Sequence, residues 1–256
     1  MALLYRLRRH PFTVEAFFRH SLVITYAFPA EAFASLLPPG LVLDTHEGSG
    51  FLAIALVQTR GLRPTFIPRG LGQDFLLSGY RVFARFRTAS GRTLRGLRIL
   101  RSDADRRLMV VSGNLFTHYR YRKCKASVLE APDRLDLRIR TPQAEADLDI
   151  TADLVTRPEA PPTGSPFRDL TEARKFAGPL PFTFDYEPET RSIVIIEGVR
   201  ERWDPQPVRV EVRENTFLTR APFDRFPPVL ANAFHVRDVP YRWRPGILEP
   251  LPGAGA

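Results

Sequence analysis

Apolar and polar residues alternate with a period of two over short stretches of the chain, and turn residues separate the stretches. Residues 21–28 (SLVITYAF) read as a strand. Pro29 then opens a short helix over 30–37, which Pro38-Pro39-Gly40 ends. Residues 41–44 and 51–59 read as a hairpin about Gly48-Ser49-Gly50. In residues 79–88, Tyr80, Val82, Ala84 and Phe86 fall on one face, and Arg81, Phe83, Arg85 and Arg87 on the other. Ser90-Gly91 turns this strand back into residues 93–101, and Asp103 is placed to cap a helix over 104–116. A strand over 118–129, two more at 134–140 and 145–155, and a Pro/Gly-rich loop over 156–166 follow. The pattern next predicts a short helix at 167–176 and a hairpin of 182–187 with 191–197. Strand 207–213 then leads into a Pro-rich tail with weak helical character at 226–234.

Roughly ten strands, mostly meander-connected, predict a mainly β fold with a few short helices. The expected form is a twisted antiparallel sheet closing into a cone-like barrel. No repeat of about 20–50 residues points to a solenoid or propeller. Charged residues on both faces of several strands suit a barrel that encloses a polar pocket.

Composition narrows the function classes. The 256 residues are 44% apolar and 25% charged, within the globular range, and the chain reads as one domain with a core over about 20–235. The 37 basic residues against 28 acidic give a net charge of +9. Only Lys123, Lys125 and Lys175 among them are lysines. The arginines are dispersed among acids, with no basic tail, finger or RNA-binding aromatic motif, so specific nucleic-acid binding is not expected. The longest apolar run, residues 51–57, falls short of a membrane-spanning helix, and the N-terminal residues lack a signal-type apolar stretch. A cytoplasmic location is the expectation, in keeping with a single cysteine, Cys124. The five histidines are too scattered to suggest a metal site, and the Gly-x-Gly at 70–72 lacks a nucleotide-binding context, so neither metal nor cofactor is expected.

The order of several short motifs carries a resemblance. They are Leu37-Pro38-Pro39-Gly40-Leu41, the turn of 44–50, Gly79-Tyr80-Arg81-Val82-Phe83 and Leu100-Arg101-Ser102-Asp103. Residues 115–120, Ser192-Ile193-Val194 with Glu197-Gly198, and Trp203-Asp204-Pro205-Gln206-Pro207-Val208 complete the set. With these the chain, over about 20–235, resembles the YqjF-like family, whose role is not established, within the acetoacetate decarboxylase-like superfamily. The resemblance implies a cone-shaped antiparallel barrel around an internal cavity and a tendency to form homo-oligomers. It also implies a Schiff-base lysine whose pKa is lowered by a neighbouring lysine. In the decarboxylase that pair follows an aromatic-Gly-aromatic-Pro stretch. Here the stretch reads Phe116-Thr117-His118-Tyr119-Arg120-Tyr121, with no lysine in register.

Lys123 and Lys125, at i and i+2 of one expected strand, share a face with Tyr119 and Tyr121. That face either enters the cavity, where the two amines are candidate catalytic groups, or is solvated. Arg81, with Arg85 beside it, faces inward if the Tyr80 face packs outward under the helices. A buried guanidinium then suits a carboxylate or phosphate, or an internal salt bridge to Glu197. Arg98 is a substrate-binding candidate by the same reasoning. Glu197 is either a pocket acid or base or the first residue of a turn. His118 is either a ligand-binding or a structural histidine. Residues 203–207 read as an aromatic plug and a rigid lead-in to an edge strand. The expected function is a small-molecule pocket for carbonyl or carboxylate compounds. The alternative is a non-catalytic binding or assembly protein that keeps the barrel without Schiff-base chemistry.

Overall fold

The computed structural model describes residues 4–178 and 180–252. In chain order the elements begin with α1 (Leu4–Leu7), β1 (Val14–Pro29), β2 (Leu41–Leu43), β3 (Ser49–Pro64), β4 (Gln73–Arg87) and β5 (Thr93–Ala104). Next come α2 (Arg107–Phe116), β6 (Tyr121–Lys123), β7 (Lys125–Glu130), β8 (Arg134–Arg140), β9 (Leu148–Asp153) and α3 (Leu170–Ala177). The chain continues through β10 (Phe182–Glu187), β11 (Ser192–Val199), β12 (Gln206–Pro207), β13 (Arg209–Asn215), β14 (Val229–Trp243) and β15 (Ile247–Pro250).

The fold is mainly β, and its larger sheet is ring-like. The ring runs β14-β1-β3-β4-β5-β10-β11 and returns to β14 through the pairs Gly198↔Trp243 and Val199↔Arg242. Most neighbours are antiparallel, as the meander pattern predicts, but β5 pairs in parallel with β10 and with β6. A four-stranded sheet, β13-β9-β8-β7, lies apart from the ring.

The alternation in β4 decides what lies inside. Tyr80 and Val82 pack with Leu22, Ile24, Leu52 and Ile54 of the ring and with Leu135, Leu137, Leu148 and Ile150 of the small sheet. The outward apolar face is therefore covered by a second sheet, not by helices. The opposite face of β4, with Arg81 and Phe83, turns into the ring. No helix is long and apolar enough to cross a membrane among the described residues.

Four local expectations change. Residues 30–37 form only a 3-10 turn at Ala30–Phe33. β2 pairs with β4 and not with β3, so residues 41–59 are not a hairpin. Asp103 does not cap α2; its carboxylate holds the Arg101 guanidinium at 2.7 and 2.9 Å. Residues 229–243 are neither tail nor helix but a central strand that pairs with β1 along most of its length. Asp238 interrupts that strand's alternation with a φ of +56°, and Pro240 follows it. The hydrophobic pattern there changes parity halfway, which hides the strand.

Two histidines are held neutral by burial. His10 and His235 both have their pKa lowered to about 4, with desolvation the chief cause in each. His235 Nε2 lies 3.0 Å from Nδ1 of the buried His20. In the unfolded chain these imidazoles titrate near 6.5. Their contribution to stability is therefore complete above pH 6.5 and is lost as pH falls from 6.5 towards 4. Buried Asp103 and Asp185, both held above the usual carboxylate range by desolvation, act in the opposite sense. Urea unfolding as a function of pH should show stability falling over this window. The slope should drop by about one bound proton in His235→Gln.

Candidate functional site

The ring surrounds a cavity that opens to solvent. Its walls are side chains of the inward faces. Arg81 and Phe83 come from β4, Ala53, Val57 and Thr59 from β3, and Leu97 from β5. β1 supplies Phe18, Ser21 and Val23, whose parity changes across the register shift between Phe18 and His20. β14 supplies Phe234 and Val236 before the Asp238 kink, and Tyr241 and Trp243 after it. The segment between β11 and β12 adds Arg200, Trp203 and Pro205, and the end of α3 adds Ala177.

Arg81 is the cavity's central charge. Its guanidinium leans back along the strand over Gly79, where an added Cβ would stand 3.3 Å from Nε and 3.4 Å from Nη2. Its Nε is buried without a hydrogen-bond partner. No acid forms an ion pair with it among the described residues. Desolvation lowers its pKa, and the aromatic hydroxyl groups of Tyr241, Tyr121 and Tyr119 are the groups that oppose this. The residue is not fully covered, so its remaining surface faces the cavity. A guanidinium taken from water without a counter-ion is costly unless a ligand supplies one.

The rest of the lining is also biased towards donors. Arg200 stacks on Trp203, with its guanidinium carbon 4.7 Å from the ring centroid, and donates to the Tyr241 hydroxyl at 3.3 Å. The Trp203 indole N–H is buried with no acceptor. Tyr121 is held by Asn114 of α2, which accepts from its backbone N–H at 2.7 Å and donates to its carbonyl at 2.9 Å. Burial pushes the Tyr121 hydroxyl up to about 12, so it remains a neutral hydrogen-bonding group near pH 7. The lining contains two arginines and no Asp, Glu, Lys, His or Cys among the described residues.

Of the catalytic and substrate-binding candidates named from the sequence, Arg81 alone lines this cavity. Arg85, expected to face inward with it, is half-exposed and donates at 2.5 Å to the fully buried Asp44, which Arg95 also engages at 2.6 Å. Arg98 is buried against Asp185 of β10 in a direct ion pair and does not reach the cavity. Glu197 receives Arg244 at 2.8 Å near the protein surface. His118 sits 3.8 Å from Glu187, which Arg9 grips with three contacts of 2.6 to 3.2 Å.

Lys123 and Lys125 are both exposed and outside the lining. They do not share one strand. The chain leaves the ring after Lys123 and joins the small sheet at Lys125, so the i, i+2 rule does not apply across Cys124. Lys123 Nζ donates to the Cys124 carbonyl at 2.6 Å. Cys124 is buried in the core, with its thiol pushed up to about 12 mainly by desolvation, as expected of a small apolar residue.

Trp203 and Pro205, expected to be structural, line the cavity. Gln206–Pro207, expected as the lead-in, pairs with β14, and the strand it leads into, β13, is an edge of the small sheet. Tyr241 and Trp243 lie in the stretch read as a tail, where the parity change hid them.

Solved structures share this architecture. Acetoacetate decarboxylase from Legionella pneumophila superposes with a TM-score of 0.60 at 12% identity, covering 93% of this chain and 87% of that one. The enduracididine biosynthesis enzyme MppR, solved with HEPES bound, gives 0.62 at 14% identity, covering 93% and 88%. An acetoacetate decarboxylase-like enzyme from Sphingomonas wittichii RW1 gives 0.57 at 11% identity, covering 96% and 94%. At these identities the likeness is one of fold. No curated protein sequence matches the chain. The family model that does match covers residues 15–238, from the first ring strand to the kink of β14, and is described as "Uncharacterized conserved protein (COG2071)". The ring-like sheet, its decarboxylase-like neighbours and this match together place the chain in the DUF2071 family, with an acetoacetate decarboxylase-like fold.

Proposed function

We propose that the cavity binds a small organic acid, with Arg81 as the carboxylate receptor, and that it does so without a lysine Schiff base. The observation that carries this is the Arg81 guanidinium, whose Nε is buried without a hydrogen-bond partner and which has no acidic partner, among the described residues, in a lining devoid of acids. A planar guanidinium in a desolvated site matches a carboxylate with two parallel hydrogen bonds. Structural neighbours support the class of ligand, since MppR has been solved with pyruvate. The positions of Lys123 and Lys125 support the second part. An amine nucleophile must reach the bound carbonyl, and both amines lie on the outer surface. The reading therefore favours binding, with charge stabilisation by Arg81, over amine catalysis.

A thermal-shift panel of pyruvate, acetoacetate, butanoate and octanoate, each beside its neutral amide, tests this. An acid at about 100 times its Kd should add about 2.7 kcal/mol, which for a chain of this size is roughly 5–10 °C in Tm. The amides should give little. Equal shifts from acids and amides would overturn the carboxylate reading. The double variant Lys123→Met/Lys125→Met should keep the affinity of the wild type. Borohydride with pyruvate should leave no adduct on either lysine, and a covalent adduct there would restore the Schiff-base chemistry.

A further inference from the structure

A second chamber, also open to solvent, adjoins the first. Leu62, Tyr121 and Trp243 line both, so these side chains form the partition. The Tyr121 ring packs against Gly113 of α2, where any Cβ would collide with it. The walls are otherwise mainly apolar, with Phe12, Val14, Met109 and Phe116 among them.

Its free polar groups have the opposite character to those of the first chamber. His10 Nδ1 lies 3.1 Å from the Arg244 carbonyl. A carbonyl only accepts, so Nδ1 carries the proton, and Nε2 of this neutral imidazole is an acceptor. The Ser112 hydroxyl donates to the Leu108 carbonyl at 2.8 Å. It can therefore only accept from Gln73 Nε2, at 3.4 Å, which fixes the amide and leaves Gln73 Oε1 as a buried acceptor without a donor. The Thr117 and Tyr119 hydroxyl groups are engaged elsewhere, with the Gly113 carbonyl at 2.8 Å and with Thr183 at 2.6 Å. One chamber thus offers donors around Arg81, and the other offers acceptors at Gln73 and His10. Both Gln73 and Arg81 stand on β4, and the Arg81 side chain leans towards the Gln73 end.

We propose that the ligand of this protein is an elongated acid: a carboxylate on Arg81, an apolar body that passes Tyr121, and a terminal hydroxyl or amino group that donates to Gln73 and His10. This deepens the carboxylate reading and rests on it. Each methylene buried along the way should tighten binding by about fourfold at most. A polar end group delivered to an unsatisfied buried acceptor is rewarded, whereas one stranded in an apolar wall is penalised.

Calorimetric titration of butanoate, hexanoate, octanoate and decanoate, each with its ω-hydroxy counterpart, reads this directly. Affinity should climb along the series to octanoate or beyond. The ω-hydroxyl should weaken the short acids and strengthen the longest by fivefold or more. Gln73→Leu should reverse that preference for the longest pair. Met109→Trp, which fills the second chamber, should weaken decanoate at least tenfold more than butanoate. A flat series, or ω-hydroxyl groups that weaken every acid, would overturn the elongated ligand even if Arg81→Met still abolishes butanoate binding. Butanoate binding unchanged in Arg81→Met would instead overturn the underlying carboxylate reading.

Discussion

Replacing Arg81 with methionine should abolish acid binding and at the same time make the ligand-free protein more stable. The two effects have one cause. In the empty cavity the guanidinium is desolvated, its Nε lacks a partner, and no acid in the lining offsets its charge. Methionine follows much the same path along the wall and removes that cost, so Tm should rise by a few degrees. With the ligand present, the guanidinium supplies charge-assisted hydrogen bonds, which are stronger than neutral ones. Losing them strands the carboxylate in an apolar chamber. Removal of one partner from such a buried pair typically costs about 2–5 kcal/mol, or roughly 30- to 5,000-fold in affinity. Titration calorimetry and a melting curve on the same variant check both halves. An Arg81→Met protein that melts lower and binds acids normally would mean that Arg81 is a structural arginine with a partner in solution.

Arg98→Met should do the reverse. Arg98 stands on β5, the strand paired with that of Arg81, and is buried outside the cavity lining, where its charge is matched by Asp185, which is itself 3% exposed. Methionine would leave that carboxylate buried and alone, apart from its contact with the Tyr186 backbone N–H at 2.9 Å. Breaking a buried pair from one side costs about 3–5 kcal/mol. For a chain of this size that is roughly 10 °C in Tm. Burial already holds the Asp185 carboxyl above its ordinary range, so the lone acid will take up a proton more readily. The loss should therefore be smaller at pH 5 than at pH 8. Acid affinity in the folded protein should stay near that of the wild type. Urea unfolding at the two pH values, with titration of butanoate, separates the outcomes. A stable Arg98→Met protein that has lost acid binding would move Arg98 into the site.

These paired variants also mark how far the sequence could be read. Period-two alternation put Arg81 and Phe83 opposite Tyr80 and Val82, and the structure keeps that division. The β4–β5 and β10–β11 hairpins follow from their turn residues, as expected. The same alternation made Arg98 look equivalent to Arg81. What separates them is Asp185, which reaches Arg98 only because β10 lies parallel to β5 far along the chain. Local pattern carries no information about such a neighbour.

The lysines show a different limit. Of the two faces open to them the structure gives the solvated one, and strand periodicity does not carry across Cys124, where the chain changes sheets. The aromatic half of the cavity shows a third. Asp238 takes up a left-handed conformation within β14, so Phe234 and Val236 before it and Tyr241 and Trp243 after it face the same way despite opposite parity. The single kink at Asp238, two residues before Pro240, brings both halves of the strand, and with them much of the cavity wall, onto one face.

The most direct measurement is a crystal structure of the protein with octanoate. Both carboxylate oxygens should lie about 2.7–2.9 Å from nitrogens of Arg81 inside the ring, with the chain directed towards Tyr121. A carboxylate bound instead at Arg85 and Arg95 beside Asp44, or an octanoate lying in the cavity with its carboxylate turned away from Arg81, would contradict the assignment of this guanidinium as the acid receptor.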